Sequence, residues 1–274
     1  MISCKKDDET TPKSINEVEN LKLLKTFTDS IGNTVELYNN SGLFNVGYNK
    51  VYIRIADKDG MYISQSSLEW MPTMTMDMSG MIHQHSCPYS EITKVSGKQY
   101  LFEGYIVFIM ASNGADNFWE LEVEYEVDGQ KFEVSEKIDV ISTASDYNKI
   151  YTNGMGTDSS MYFIALVEPT SPMIGTNDIV VALFKKASMM SFPIVDDYSI
   201  MVDPRMPGMG NHSAPGNMDM VQGSDGLYHG KVGFSMTGYW KINLMLKNST
   251  GEVVKGEAIT TDVTESSLNL KLEF

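Results

Sequence analysis

Between Trp70 and Pro88 the chain reads WMPTMTMDMSGMIHQHSCP, a stretch that holds five of its 20 methionines, two of its four histidines and Cys87. A second gathering, MVDPRMPGMGNHSAPGNMDM, lies at residues 201–220. In each, two methionines precede a histidine at close spacing: Met78 and Met81 before His83, Met206 and Met209 before His212. His85-Ser86-Cys87-Pro88 also lies opposite His212-Ser213-Ala214-Pro215. Thioether sulfur is a soft, neutral ligand that selects Cu(I), and imidazole serves either oxidation state of copper. The candidate ligands are therefore Met74, Met76, Met78, Met81, His83 and His85 in the first stretch and Met206, Met209 and His212 in the second, with Cu(I) favoured over Cu(II). A thioether needs no deprotonation, so such a set keeps Cu(I) at acid pH where imidazole is protonated.

Other metals suit these residues less well. Calcium or magnesium wants several convergent carboxylates, and only Asp77, Asp203 and Asp219 stand near the two gatherings. A structural zinc site wants four Cys or His ligands. A blue-copper centre wants one Cys, two His and an axial Met, but no His and Met follow Cys87 closely. The competing reading is that methionine fills irregular cores or forms adaptable contact surfaces. Met110 and Met236, alternating with Phe108 and Phe234, read as core, and His229 reads as surface. Pro72, Ser79 and Gly80 make residues 71–81 read as a loop, although Met74, Met76 and Met78 would share one face of a strand.

The elements that must position these residues are strands. No sustained helical period runs through the chain, and alternating runs of five to eight residues recur between Gly, Asn, Asp and Pro clusters, so the fold class is all-β. The second half repeats the first. Residues 35–58 align without a gap against residues 163–186, which places Gly47 and Asn49 on Gly175 and Asn177. GYIVFIM (104–110) matches GKVGFSM (230–236), and WELEVEY (119–125) matches WKINLML (240–246). A repeat of this length suits two tandem Ig-like β-sandwich domains. The expected organisation is a tether at 1–20, sandwiches at 21–145 and 160–274, and a polar linker at 146–159.

The composition bounds the function. A chain of 274 residues is comfortable for two domains, and a formal net charge of -15 repels nucleic acid. No apolar run has the roughly 18–20 residues of a membrane helix, and no phosphate-binding glycine motif is present. No Ser/His/Asp set can be assembled from the order of residues, so enzymatic activity is not expected. The opening MISCKKDDETTPKS resembles the end of a bacterial lipoprotein signal, with Cys4 as the lipid-bearing residue. The charged run after Cys4 is similar to the export signal of Bacteroidetes surface lipoproteins. Cys87 is then an unpaired thiol in an oxidising compartment.

The second half carries a family likeness. LVEPTSPMIGTNDIVVALF, MPGMGNHSAPG and GLYHGKVGFSMTGYWKINLML resemble the YtkA-like domain, an Ig-like sandwich of exported bacterial proteins related to the FixH group. The shared signature is M-P-x-M-x-H followed by G-x-V-x-F-x-M-x-G-x-W. The chain departs from it through Asn211, inserted before His212, through Ser79 in place of the Pro, and through SNGADNF before Trp119. The resemblance implies copper handling. The expectation is thus an outer-membrane lipoprotein of the cell envelope that stores, delivers or detoxifies copper. Its partners would be the copper ion and another envelope copper protein, and it would touch the membrane only through lipid at Cys4. The alternative is a non-enzymatic adhesion module for a glycan or protein partner, with the Met-rich stretches as its contact loops.

Overall fold

The computed structural model describes residues 16–127 and 129–274. Cys4, and with it the expected anchor and most of the tether, lies outside the described residues. The chain is all-β, with one short 3-10 turn at Pro207–Met209 and no α-helix among the described residues. Period-two burial explains the strands: Val51, Ile53 and Ile55 in the first half and Ile179, Val181 and Leu183 in the second all point inward and are buried.

The first half holds β1 (Lys22–Thr28), β2 (Thr34–Asn39), β3 (Phe44–Asn45), β4 (Gly47–Ala56), β5 (Leu68–Asp77), β6 (Ile82–His85), β7 (Thr93–Lys94), β8 (Phe102–Phe108), β9 (Asn117–Val127), β10 (Gln130–Ile138) and β11 (Val140–Ile141). The sheets β1-β2-β4-β8-β7 and β10-β9-β5-β6 enclose one core of Phe27, Leu37, Ile53, Phe108, Trp119 and their neighbours. β11 runs parallel to β3.

The second half holds β12 (Tyr151–Met155), β13 (Met161–Glu168), β14 (Gly175–Lys185), β15 (Ser199–Met206), β16 (His212–Ser213), β17 (Met218–Gln222), β18 (Tyr228–Phe234), β19 (Tyr239–Lys247), β20 (Val253–Lys255) and β21 (Asn269–Glu273). Their order is β12-β13-β14-β18-β17-β15-β19-β20, with β16 on β15 and β21 on β19. The main order repeats that of the first half, with β20 and β21 together in the place of β10, no counterpart of the β3–β11 pair among the described residues, and one change at the edge. β7 pairs with β8 alone among the strands of its sheet, whereas β17 pairs with both β18 and β15 and joins the two layers into one ten-stranded sheet.

Local chemistry recurs with the order. Asn49 Oδ1 accepts from the Asn45 amide at 2.9 Å and its Nδ2 donates to the Asn45 carbonyl at 2.7 Å. Asn177 makes the same two bonds to Met173, at 2.9 and 2.8 Å. Each side-chain amide closes the loop entering the strand it sits on, satisfying backbone groups that no neighbouring strand reaches.

The stretch expected as a linker at 146–159 contains β12, which covers the edge of β13 from Tyr151 opposite Ala165 to Met155 opposite Met161. The second-half sheet therefore begins before residue 160. Only Thr152 on this edge strand is buried, which is why its sequence looks like a loop. The halves are docked through a third apolar core in which Val107 of β8 meets Phe163, Ala165, Ala182, Phe184 and Phe192.

Candidate metal centre

Residues 71–81, which read as a loop, form instead most of the first strand and the turn of a hairpin. β5 runs to Asp77, and a two-residue turn reverses the chain: Ser79 and Gly80 have φ of 61° and 88°, the left-handed pair that matches hairpin twist. The Met78 amide donates to the Met81 carbonyl at 2.9 Å, and Asp77 Oδ1 accepts from the Gly80 amide at 2.6 Å. Pro72 fits in the strand because its carbonyl, which points the same way as its missing N–H, faces away from β9 and accepts from Ser86 Oγ at 2.6 Å. No ladder bond is lost.

The register puts Met74 opposite His85 and Met76 opposite His83, and the turn bonds put Met78 opposite Met81. Directly opposed residues share a face with Cβ atoms about 4.5–5.5 Å apart, and every second residue returns to that face about 7 Å further along. All six candidates of the first stretch thus form three rungs on one face of the hairpin. The rungs run from dry to wet: Met74 is 0% and His85 6% exposed, Met76 is half-buried, and Met78 and Met81 are 59% and 63% exposed. His83 is exposed beside them.

His85 is held in one orientation. Its Nδ1 lies 2.7 Å from the Ser86 carbonyl, which can only accept, so Nδ1 carries the proton and Nε2 keeps its lone pair. The ring meets Trp119 edge-on at 5.6 Å. Burial holds its pKa below that of an ordinary histidine, against the Ser86 bond and with help from the Lys186 charge. A depressed folded pKa favours the neutral form, so this group adds stability above the unfolded value of about 6.5 and loses it as pH falls through the lower folded value. Wild type should accordingly lose more urea stability between pH 7.5 and pH 5 than His85→Phe does. Parallel losses in the two proteins would remove His85 as the cause.

Met74, a candidate ligand by sequence, is a core residue, packed among the buried side chains of the first sandwich. It forms the floor of the ladder. In the second half Met206 stands opposite His212 and is likewise part of the core, so Met206 corresponds to Met74 and His212 to His85. The shared Met, Met, His order is therefore not a shared geometry: Met209 sits in the 3-10 turn after Met206, 58% exposed, and the second hairpin has no rungs matching Met76–His83 and Met78–Met81. Cys87 is buried, with its thiol pKa pushed well up by burial, which suits packing and not ligation. Among the described residues no three His, Cys, Asp or Glu side chains come together to hold a metal ion.

The G-x-V-x-F-x-M-x-G-x-W signature is accounted for by packing. A Cβ at Gly230 would lie 2.5 Å from the Met218 carbonyl, and one at Gly238 would lie 2.9 Å from Met206 Cε. Val232, Phe234 and Trp240 are core residues, with the Phe234 and Trp240 rings 5.3 Å apart. The Met236 carbonyl accepts from Trp240 Nε1 at 3.0 Å. The first half repeats this with Phe108 against Trp119 at 5.0 Å and Trp119 Nε1 donating to the Met110 carbonyl at 2.9 Å.

Residues 157–245 match the model of the YtkA-like family. The YtkA-like match takes in β13 to β18 and most of β19, including Met206, Met209 and His212, and leaves out the β5–β6 hairpin. No curated protein matches the chain. Among solved structures, an Escherichia coli adhesin, FdeC, is 14% identical, with a TM-score of 0.26 over 91% of this chain and 65% of that one. A DUF4785 family protein from Legionella pneumophila is 12% identical, with a TM-score of 0.26 over 82% of this chain and 55% of that one. The chain thus spans less than two thirds of either.

Proposed function

We propose that this protein binds Cu(I) on the β5–β6 hairpin, in the exported setting expected from Cys4, and that its first half is a diverged second copy of the YtkA-like domain. The observation that carries the reading is the three-rung ladder. It lines up Met76, Met78, Met81 and His83 on one face at the solvent end, with the oriented His85 behind them. Soft neutral sulfur with one or two imidazoles is the donor chemistry of Cu(I). The half-exposed position lets the ion enter and leave, as storage or delivery requires. The exposed Met78, Met81 and Ile82 at the tip also suit a contact surface, which is what favours the adhesion reading.

Titration of the full chain with Cu(I) under reducing conditions, or with Ag(I), separates the two. Met76→Leu, Met78→Leu, Met81→Leu and His83→Gln together should weaken binding by more than about 100-fold, or about 2.8 kcal/mol. The fold should survive, because Met-to-Leu swaps conserve volume and cost under about 1.5 kcal/mol each. The matching triple variant Met206→Leu, Met209→Leu, His212→Gln should change affinity less. Unaltered binding by the folded quadruple variant would overturn the copper reading.

A further inference from the structure

Two concavities meet at the loop Tyr89–Glu91: one of about 860 Å³ between the halves and one of about 600 Å³ along β5 and β9. The first has an aromatic floor drawn from both halves, with Tyr105 5.0 Å from Tyr48 and 6.2 Å from Phe184, ring centre to ring centre. The second is walled by Glu69, Glu91, Glu122 and Glu124. Glu69 and Glu124 stand directly opposite across β5 and β9, a like-charge pairing that weakens a sheet. Burial, and then the charges of Glu133, Glu124 and Glu120, hold the Glu122 carboxyl above its ordinary pKa. Among the described residues the only lysine or arginine lining either concavity is Lys50, which is paired with Glu103 at 2.9 Å; Lys131 stands beside Glu69 and Glu124 just outside them.

We propose that this groove docks an extended segment of a partner protein bearing arginine or lysine. Carboxylates along one stretch and tyrosine faces along the other fit a guanidinium or ammonium group by charge and by cation–π attraction. Two adjoining concavities of this volume fit a run of residues better than one small amine. An anionic partner is repelled by the same walls and by the net charge of -15. The proposal is independent of copper: none of its residues lies on the hairpin ladder.

The probe is a fluorescent peptide of Arg-Gly repeats, measured by anisotropy at moderate salt on the full chain, with a Gln-Gly repeat as control. Glu69→Gln, Glu91→Gln and Glu124→Gln together should weaken Arg-Gly binding at least about 10-fold. These substitutions relieve repulsion, so the fold is retained. Asp146→Asn, Asp262→Asn and Glu273→Gln remove the same charge at exposed positions elsewhere and should leave binding within about twofold. Equal weakening by both sets would reduce the effect to bulk charge and overturn the proposal. So would absence of Arg-Gly binding, or displacement of the peptide by equimolar spermidine.

Discussion

Trp119→Ala should cost the chain about 3–5 kcal/mol of stability, and Trp240→Ala about the same, because each removes a fully buried indole from the centre of one sandwich. Each also orphans a carbonyl, Met110 or Met236, that the indole N–H satisfies. Their effects on the metal ladder should differ. Only Trp119 forms the wall against which His85 is oriented, so Trp119→Ala should weaken Ag(I) binding under conditions where the variant is folded, while Trp240→Ala leaves it near wild type. Urea unfolding and metal titration on the same two proteins check both halves of the expectation. A stability loss below about 1 kcal/mol would mean that the core collapses into the space, and equal metal affinities would detach Trp119 from the site.

Phe184→Asp should uncouple the two halves. Phe184 is 1% exposed and lies in the apolar core between them, where an unpaired carboxylate carries a desolvation cost of several kcal/mol. The inward residues of its strand, Ile179, Val181 and Leu183, belong to the separate core of the second sandwich and are left in place. Wild type should unfold in one urea transition. The variant should unfold in two, and tryptophan fluorescence should report both, since Trp70 and Trp119 sit in the first half and Trp240 in the second. A single transition with an unchanged midpoint would show that the junction contributes nothing to stability.

The junction left a mark in the sequence that the alternation pattern passed over. IVVALF and MYFIALV are unbroken apolar runs, and both faces of β14 and β13 are buried: Val181 and Ile164 in one core, Phe184 and Phe163 in another. Such runs are the mark of strands covered on both sides. Period-two alternation in β4 and its aligned partner revealed the strands but not this second covering. The all-β class and the matching of GYIVFIM with GKVGFSM followed from alternation and turn residues because these are local signals. The hairpin at 74–85 was obscured by Pro72 and by Ser79-Gly80, read as loop formers when one is a strand residue with no ladder bond to lose and the others are the turn. Spacing suggested that Met78, Met81 and His83 correspond to Met206, Met209 and His212. The cross-strand register agrees instead with the alignment of His85-Ser86-Cys87-Pro88 on His212-Ser213-Ala214-Pro215 and sets Met74, not Met78, in the place of Met206, because pairing counts from the turn and not along the chain.

β17 gives the second half a mechanical property that the first lacks. Its backbone is tied to β18 on one side and to Ser199 and Ile200 of β15 on the other, so the two layers there are hooped by hydrogen bonds. Prising them apart requires those bonds to break together. In the first half no single strand does this: β7 does not reach β5, and the layers are tied through the segment after β6, where the Val107 amide donates to the Pro88 carbonyl at 2.8 Å and the Ser90 amide to the Tyr105 carbonyl at 2.9 Å. Force applied at that edge of the first half would thus pass into the segment leaving β6, the strand that carries His83 and His85, whereas in the second half it would fall on β17, apart from Met206 and His212.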